Sequence, residues 1–93
     1  MNVEWLAPAV RTLRSQLSYI SDRNPQAAVE MSDAIEAAVS RLAVFPESAR
    51  PGRVPGTREL VVPATPFIVV YRIETTGVVI LRVLHGAQKW PPD

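Results

Sequence analysis

The sequence predicts an α+β fold in the order β-α-α-β-β-β, with a helical hairpin packed on one face of a small antiparallel sheet. Three features carry this expectation. Apolar residues alternate singly in Asn2–Trp5, recur every three to four residues from Leu6 to Leu42, and alternate again beyond Thr57. The helical stretch is interrupted once, over Ser21-Asp22-Arg23-Asn24-Pro25. A segment of eleven residues, 46–56, with three prolines, two glycines and two arginines, then separates it from the strand-like half. A chain of 93 residues supplies one modest core and not two, so a single domain over 1–93 is expected.

Each element follows from local chemistry. In Asn2-Val3-Glu4-Trp5, Val3 and Trp5 fall on one face of a short strand, and Trp5 reads as core. Leu6, Ala9 or Val10, Leu13, Leu17 and Ile20 then form one helix stripe, with Arg11, Arg14, Ser15 and Ser18 elsewhere. Asn24 is suited to cap free amides, and Pro25 fits a first helical position because its missing N–H would have no partner there. Ala28, Met31, Ile35, Ala38 or Val39, and Leu42 continue as a second stripe, which Phe45-Pro46 ends, since the residue before proline is pushed out of helical geometry. So short a link makes the two helices an antiparallel hairpin. Thr57–Val62, Phe67–Glu74 and Val78–His85 are rich in β-branched and aromatic residues and read as three antiparallel strands. Pro63-Ala64-Thr65-Pro66 separates the first two, and Thr75-Thr76-Gly77 the last two, with Gly77 free to adopt a left-handed turn conformation. In the middle strand Phe67, Val69, Tyr71 and Ile73 share the better core face, and Ile68, Val70, Arg72 and Glu74 share the other.

Composition removes several functional classes. Apolar residues at 47% with charged residues at 20% describe a soluble globular chain rather than a disordered one. No run approaches the roughly 20 apolar residues that span a bilayer, and the N-terminus lacks a secretion-signal pattern, so the expected location is the cytoplasm, without membrane attachment. The absence of cysteine excludes disulfides, thiolate nucleophiles and zinc-thiolate sites. His85 is the single histidine, and one imidazole does not make a histidine-rich metal site, so no metal or cofactor is expected.

Charge is distributed unevenly. Residues 1–49 carry four arginines against six acids, a net of −2, whereas residues 50–93 carry five arginines and Lys89 against three acids, a net of +3. Nine of the ten basic residues are arginine, whose planar fork suits carboxylates, phosphates and aromatic faces. The basic half therefore either faces an acidic partner or carries ordinary solvated sheet-edge arginines.

Several segments together resemble a known family. These are Asn24-Pro25 with Ala27-Ala28, Phe45-Pro46, Arg53-Val54-Pro55-Gly56-Thr57-Arg58-Glu59-Leu60, Val70-Tyr71-Arg72, and Ile80-Leu81-Arg82-Val83-Leu84-His85-Gly86 with Trp90. The pattern resembles the ParE branch of the RelE/ParE superfamily of type II toxin-antitoxin toxins, over nearly the whole chain. The resemblance implies the RelE/ParE toxin fold and a toxin neutralised by a cognate antitoxin, acidic and partly disordered, in a hetero-oligomer. It also implies DNA gyrase as target, with no chemistry by the toxin and no sequence-specific nucleic-acid binding by the toxin alone. The alternative within the superfamily is a RelE-like ribosome-dependent mRNA endoribonuclease. That branch typically places an arginine directly after the aromatic of the middle strand, to stabilise charge developing on phosphate. Here the position is Ile68, which has no donor to offer.

The candidates for binding gyrase or another partner are Arg50, Arg53, Arg58, Arg82, His85 and Trp90, with no catalytic residue assigned. Each has a structural reading beside the functional one. Alternation places His85 with Val79, Leu81 and Val83, as a partly buried histidine or a functional one. Arg58 and Glu59 point to opposite faces and either can pair across strands. Arg82 is expected on the face of Val78, Ile80 and Leu84, paired with Glu59 or Glu74. Trp90 anchors the chain end or, if exposed, suits an interface. The loop from Arg50 to Arg53 is the expected exposed functional piece.

Overall fold

The computed structural model of the protein describes residues 1–86 and 88–92. The chain runs β1 (Asn2–Trp5), α1 (Ala7–Arg23), α2 (Pro25–Val44), β2 (Arg50–Pro51), β3 (Arg58–Val61), β4 (Phe67–Glu74) and β5 (Gly77–His85). The two helices and the meander stand where the apolar periods put them. The helices are joined by one residue. Asn24 closes α1, its N–H donating to Ile20 O at 2.7 Å, and opens α2, its Oδ1 accepting from the Ala27 amide at 3.1 Å. Pro25 then occupies the first turn of α2. The interruption expected over Ser21–Pro25 is thus confined to Asn24. Arg23 extends α1 by donating to Tyr19 O at 3.1 Å and lying over the Tyr19 ring, a favourable place for a cation at a helix C-terminus.

The strands form one sheet in the order β1-β5-β4-β3-β2. The β3–β4 and β4–β5 pairs are antiparallel, as expected, β2 adds a further antiparallel pair with β3, and β1 runs parallel to β5, so the sheet is mixed. Strand β2 comes from inside the Pro/Gly-rich segment and extends the expected four strands to five. Arg50 lies opposite Glu59 and bonds to its carboxylate, and Pro51 lies opposite Arg58, ties with no periodicity to advertise them. Gly77 takes a positive φ of 156°, which other residues rarely adopt, and it also serves the β1–β5 contact, since a Cβ there would run into the Asn2 carbonyl oxygen.

The core lies between the sheet and the hairpin. Phe67, Val69 and Tyr71 of β4, with Val78, Ile80 and Val83 of β5, pack against Ala9 of α1 and Ile35, Val39 and Leu42 of α2. Ile73, on the same face, projects past the helices and is exposed. Tyr71 is fully buried and donates from its hydroxyl to Pro46 O at 2.6 Å, tying the α2 exit to the sheet. Burial pushes the Tyr71 phenol above its ordinary value.

The other face of the sheet has no helix over it. There Ile68, Val70 and Leu84 form a second apolar cluster, covered by Leu81 and Trp90. The strand register explains which β5 residues reach it. Tyr71 lies opposite Ile80 and Val70 opposite Arg82, so Leu81 is an unpaired bulge residue. Upstream of the bulge Val78 and Ile80 face the helices, and downstream Val83 and His85 do. Simple alternation, which grouped Arg82 with Val78 and Ile80 and grouped His85 with Val79, fails at this one inserted residue.

Candidate functional site

The six candidate residues separate onto the two faces of the sheet. Arg50, Glu59, Val70 and Arg82 are successive cross-strand partners through β2, β3, β4 and β5, and so form one row on the helix-free face. Arg53 and Trp90 join that face, the first through Glu59 and the second through the Ile68–Val70–Leu84 cluster. Arg58 pairs with Tyr71 and His85 with Phe67, which places both on the side of the helices. His85, Arg58, Arg72 and Arg82, the groups a phosphodiester-cleaving centre would need, therefore do not converge.

Glu59 organises the basic end of the row. It is 2% exposed, and its two oxygens collect three donor groups. The Arg53 amide donates to Oε2 at 2.8 Å, Arg53 Nε donates to Oε1 at 3.1 Å, and an Arg50 terminal nitrogen reaches Oε1 at 3.3 Å. The turn that brings Arg53 back is closed by Gly52 N–H donating to Thr57 O at 2.8 Å and by the Thr57 hydroxyl donating to Val54 O at 2.6 Å. Burial alone would raise the Glu59 carboxyl, and it is the largest single influence. The Arg53 amide, the Arg53 charge and the two guanidinium hydrogen bonds together outweigh it, leaving the carboxyl below its ordinary value.

Among the described residues Arg82 pairs with no carboxylate. Glu59 is held by Arg50 and Arg53, and Glu74 by Arg72 at 2.9 Å, so neither expected ion pair forms. Arg82 instead donates to the Leu81 carbonyl at 2.7 Å, exposed by the bulge, and its guanidinium lies 5.8 Å from the Trp90 ring centre. The Trp90 indole N–H is buried with no hydrogen-bond partner among the described residues. Of the tail from Gly86 to Pro92, Ala87 lies outside the described residues.

Arg58 anchors the loop entry, donating to Ala49 O at 2.9 Å and Glu47 O at 3.3 Å. His85 is exposed at the sheet's end, edge-on to Phe67 at 6.3 Å. Ile68, where the RNA-cleaving branch places arginine, is 8% exposed and packs in the cluster under Trp90. Glu59 was read from the sequence only as a cross-strand or ion-pair partner and not as a site residue. The available signal was an acid in a strand position whose nearest upstream loop holds two arginines. Among the described residues no three histidine, aspartate or glutamate side chains gather as a metal site.

A chain of the solved structure titled "Chromosomal ParDE TA system from P. aeruginosa" superposes with a TM-score of 0.81 at 25% identity, covering 91% of this chain and 95% of that one. "Putative toxin Y4kP" of Sinorhizobium fredii is 43% identical over 89 residues, which is 96% of this chain and 92% of the relative. Residues 3–90 match the family described as the ParE toxin of type II toxin-antitoxin system, parDE, and the chain belongs to that family.

Proposed function

We propose that this toxin arrests growth by binding DNA gyrase and stabilising its cleaved-DNA state, acting as a poison that performs no chemistry of its own, in the cytoplasm. One observation carries the choice of gyrase over messenger RNA. The position where the superfamily's RNA-cleaving members carry a phosphate-binding arginine is Ile68, an aliphatic side chain packed under Trp90 and without a donor for a phosphorane oxygen. The separation of His85 and Arg58 from Arg82 by the thickness of the sheet supports the same reading.

The partner that neutralises the toxin is an acidic, partly disordered antitoxin that orders on binding. Two features support this. The C-terminal half carries a net charge of +3. Exposed Val61 lines a groove of about 410 Å³ between α2 and β3 with Ala34, Ala38, Leu42, Leu60 and Pro63, and Val44 and Phe45 are exposed at the end of α2. The β2 edge is only two residues long and contains Pro51, a sequence that resists pairing with a second copy.

Paired assays on one toxin preparation test the reading, each run with and without antitoxin. Inhibition of supercoiling by purified gyrase and no cleavage of translated messenger RNA is the expected outcome. Normal supercoiling together with cuts inside translated codons replaces this reading with the ribonuclease one.

A further inference from the structure

We infer that Glu59 is a positioning residue for target binding: its buried carboxylate holds Arg50 and Arg53 side by side on the helix-free face as one paired cationic anchor. The inference rests on the reading of the chain as a toxin that acts by binding. Each guanidinium carries five N–H donors in a rigid fork. Arg50 gives one nitrogen to Glu59, and Arg53 gives Nε with a terminal nitrogen at 3.1 Å, which leaves further N–H donors on both guanidiniums. Exposure agrees, since the Glu59 side chain is 1% exposed while Arg50 and Arg53 are 54% and 41% exposed. One negative charge is thus shared by two positive ones, and the outer surface of the cluster keeps a net charge of +1.

The energetics separate positioning from simple support of the fold. Removing a carboxylate from water costs more than an ion pair generally returns, so a buried ionic cluster is weak ground for stability. What this one supplies is geometry. It immobilises two long side chains that carry four rotatable bonds each before any partner arrives, and the ordering cost of those chains on binding falls accordingly. Its oxygens are aimed by the turn from Gly52 to Thr57, closed by backbone and hydroxyl hydrogen bonds that do not involve either guanidinium. The row continues through Val70 to Arg82, so the anchor lies in line with the Arg82–Trp90 pair on this face.

The test is a mutant cycle read in growth arrest after induced expression, which does not depend on which target is bound. It uses Glu59→Gln, the pair Arg50→Ala with Arg53→Ala, and the triple variant. Thermal unfolding of each purified chain checks that it is folded at the assay temperature. Glu59→Gln is expected to weaken toxicity by about tenfold or more, the size of a lost preorganisation of two arginine side chains. In the background lacking both arginines, the same change is expected to alter toxicity by less than about twofold, because nothing remains to position. A folded Glu59→Gln chain with wild-type potency overturns the inference, as does an equal further loss in the arginine-free background, which a role in general folding would produce. If Glu59→Gln does not fold, Arg50→Lys with Arg53→Lys keeps both charges and Glu59 but not the forks. The same tenfold loss is then expected, and unchanged potency overturns the inference. Supercoiling by purified gyrase, measured in parallel, tests the target alone: intact supercoiling beside a positive cycle rejects gyrase and leaves the role of Glu59 standing.

Discussion

The two faces of the sheet obey different rules. On the side of the helices, neighbours are chosen by shape: Phe67, Val69 and Tyr71 are fully buried against α1 and α2, and the hydroxyl that must accompany Tyr71 is satisfied by Pro46 O. On the open side, a thin apolar strip of Ile68, Val70 and Leu84 is bordered by Arg50, Arg53 and Arg82 and covered by one indole. The first face makes the fold, and the second is the one proposed to present charged groups to a partner. Substitutions one residue apart along β4 should therefore have different consequences, and that difference is where the comparison can be broken.

The largest effect belongs to Phe67→Ala, expected to destabilise by about 3–5 kcal/mol in urea unfolding, since it removes a fully buried ring from the core. Its neighbour Ile68→Ala opens only the thin strip and should cost about 2 kcal/mol, the low end for a buried isoleucine. Equal costs would mean that the open face is a second core of the same kind. Tyr71→Phe keeps the ring but strands the Pro46 carbonyl, for an expected loss of about 1–2 kcal/mol.

A pH titration sharpens the contrast without altering a core contact. The folded-state carboxyl of Glu59 is held below its ordinary value of 4.5, so its contribution is fully present above that pH and is lost as the pH falls towards the lower folded value. Wild type should lose stability across this acid window more steeply than Glu59→Gln. Coincident acid limbs would show that the Glu59 carboxylate adds no stability through its two arginine partners. The smallest effect is assigned to His85→Ala: the side chain is exposed, so stability should change by no more than about 0.5 kcal/mol, and growth arrest should persist. Loss of toxicity in a folded His85→Ala chain would point back to ribonuclease chemistry.

What could be read from the sequence was whatever depended on neighbours along the chain. The change of apolar period at Leu6, the double duty of Asn24 with Pro25 and the core face of β4 all follow from local spacing. What could not be read depended on a partner strand. The bulge at Leu81 exists only relative to Val70 and Tyr71, and it reverses the facing of Val78, Ile80 and Val79 that alternation assigned. Strand β1 pairs with the far end of the chain, and its direction there is set by the number of passes between them. Ion pairing was misassigned for the same reason. Arg82 was matched to Glu59 by sign of charge, whereas Arg50 and Arg53 reach that carboxylate first because β2 and the Gly52–Thr57 turn place them beside it. Arginine and tryptophan were legible as binding candidates by type, but their division between the two faces required the register.

The most direct test asks whether the open face acts by binding to gyrase. Purified gyrase, plasmid and ATP are incubated with the toxin, and linear DNA released after protein denaturation is quantified for wild type and for the folded triple variant Arg50→Ala, Arg53→Ala, Arg82→Ala. The account predicts accumulation of linear DNA with wild type, its suppression by the antitoxin, and a loss of at least about tenfold with the variant, as expected when central arginine anchors are removed from an interface. Equal linear DNA from the two chains, or none from a wild-type chain that arrests growth, would contradict it.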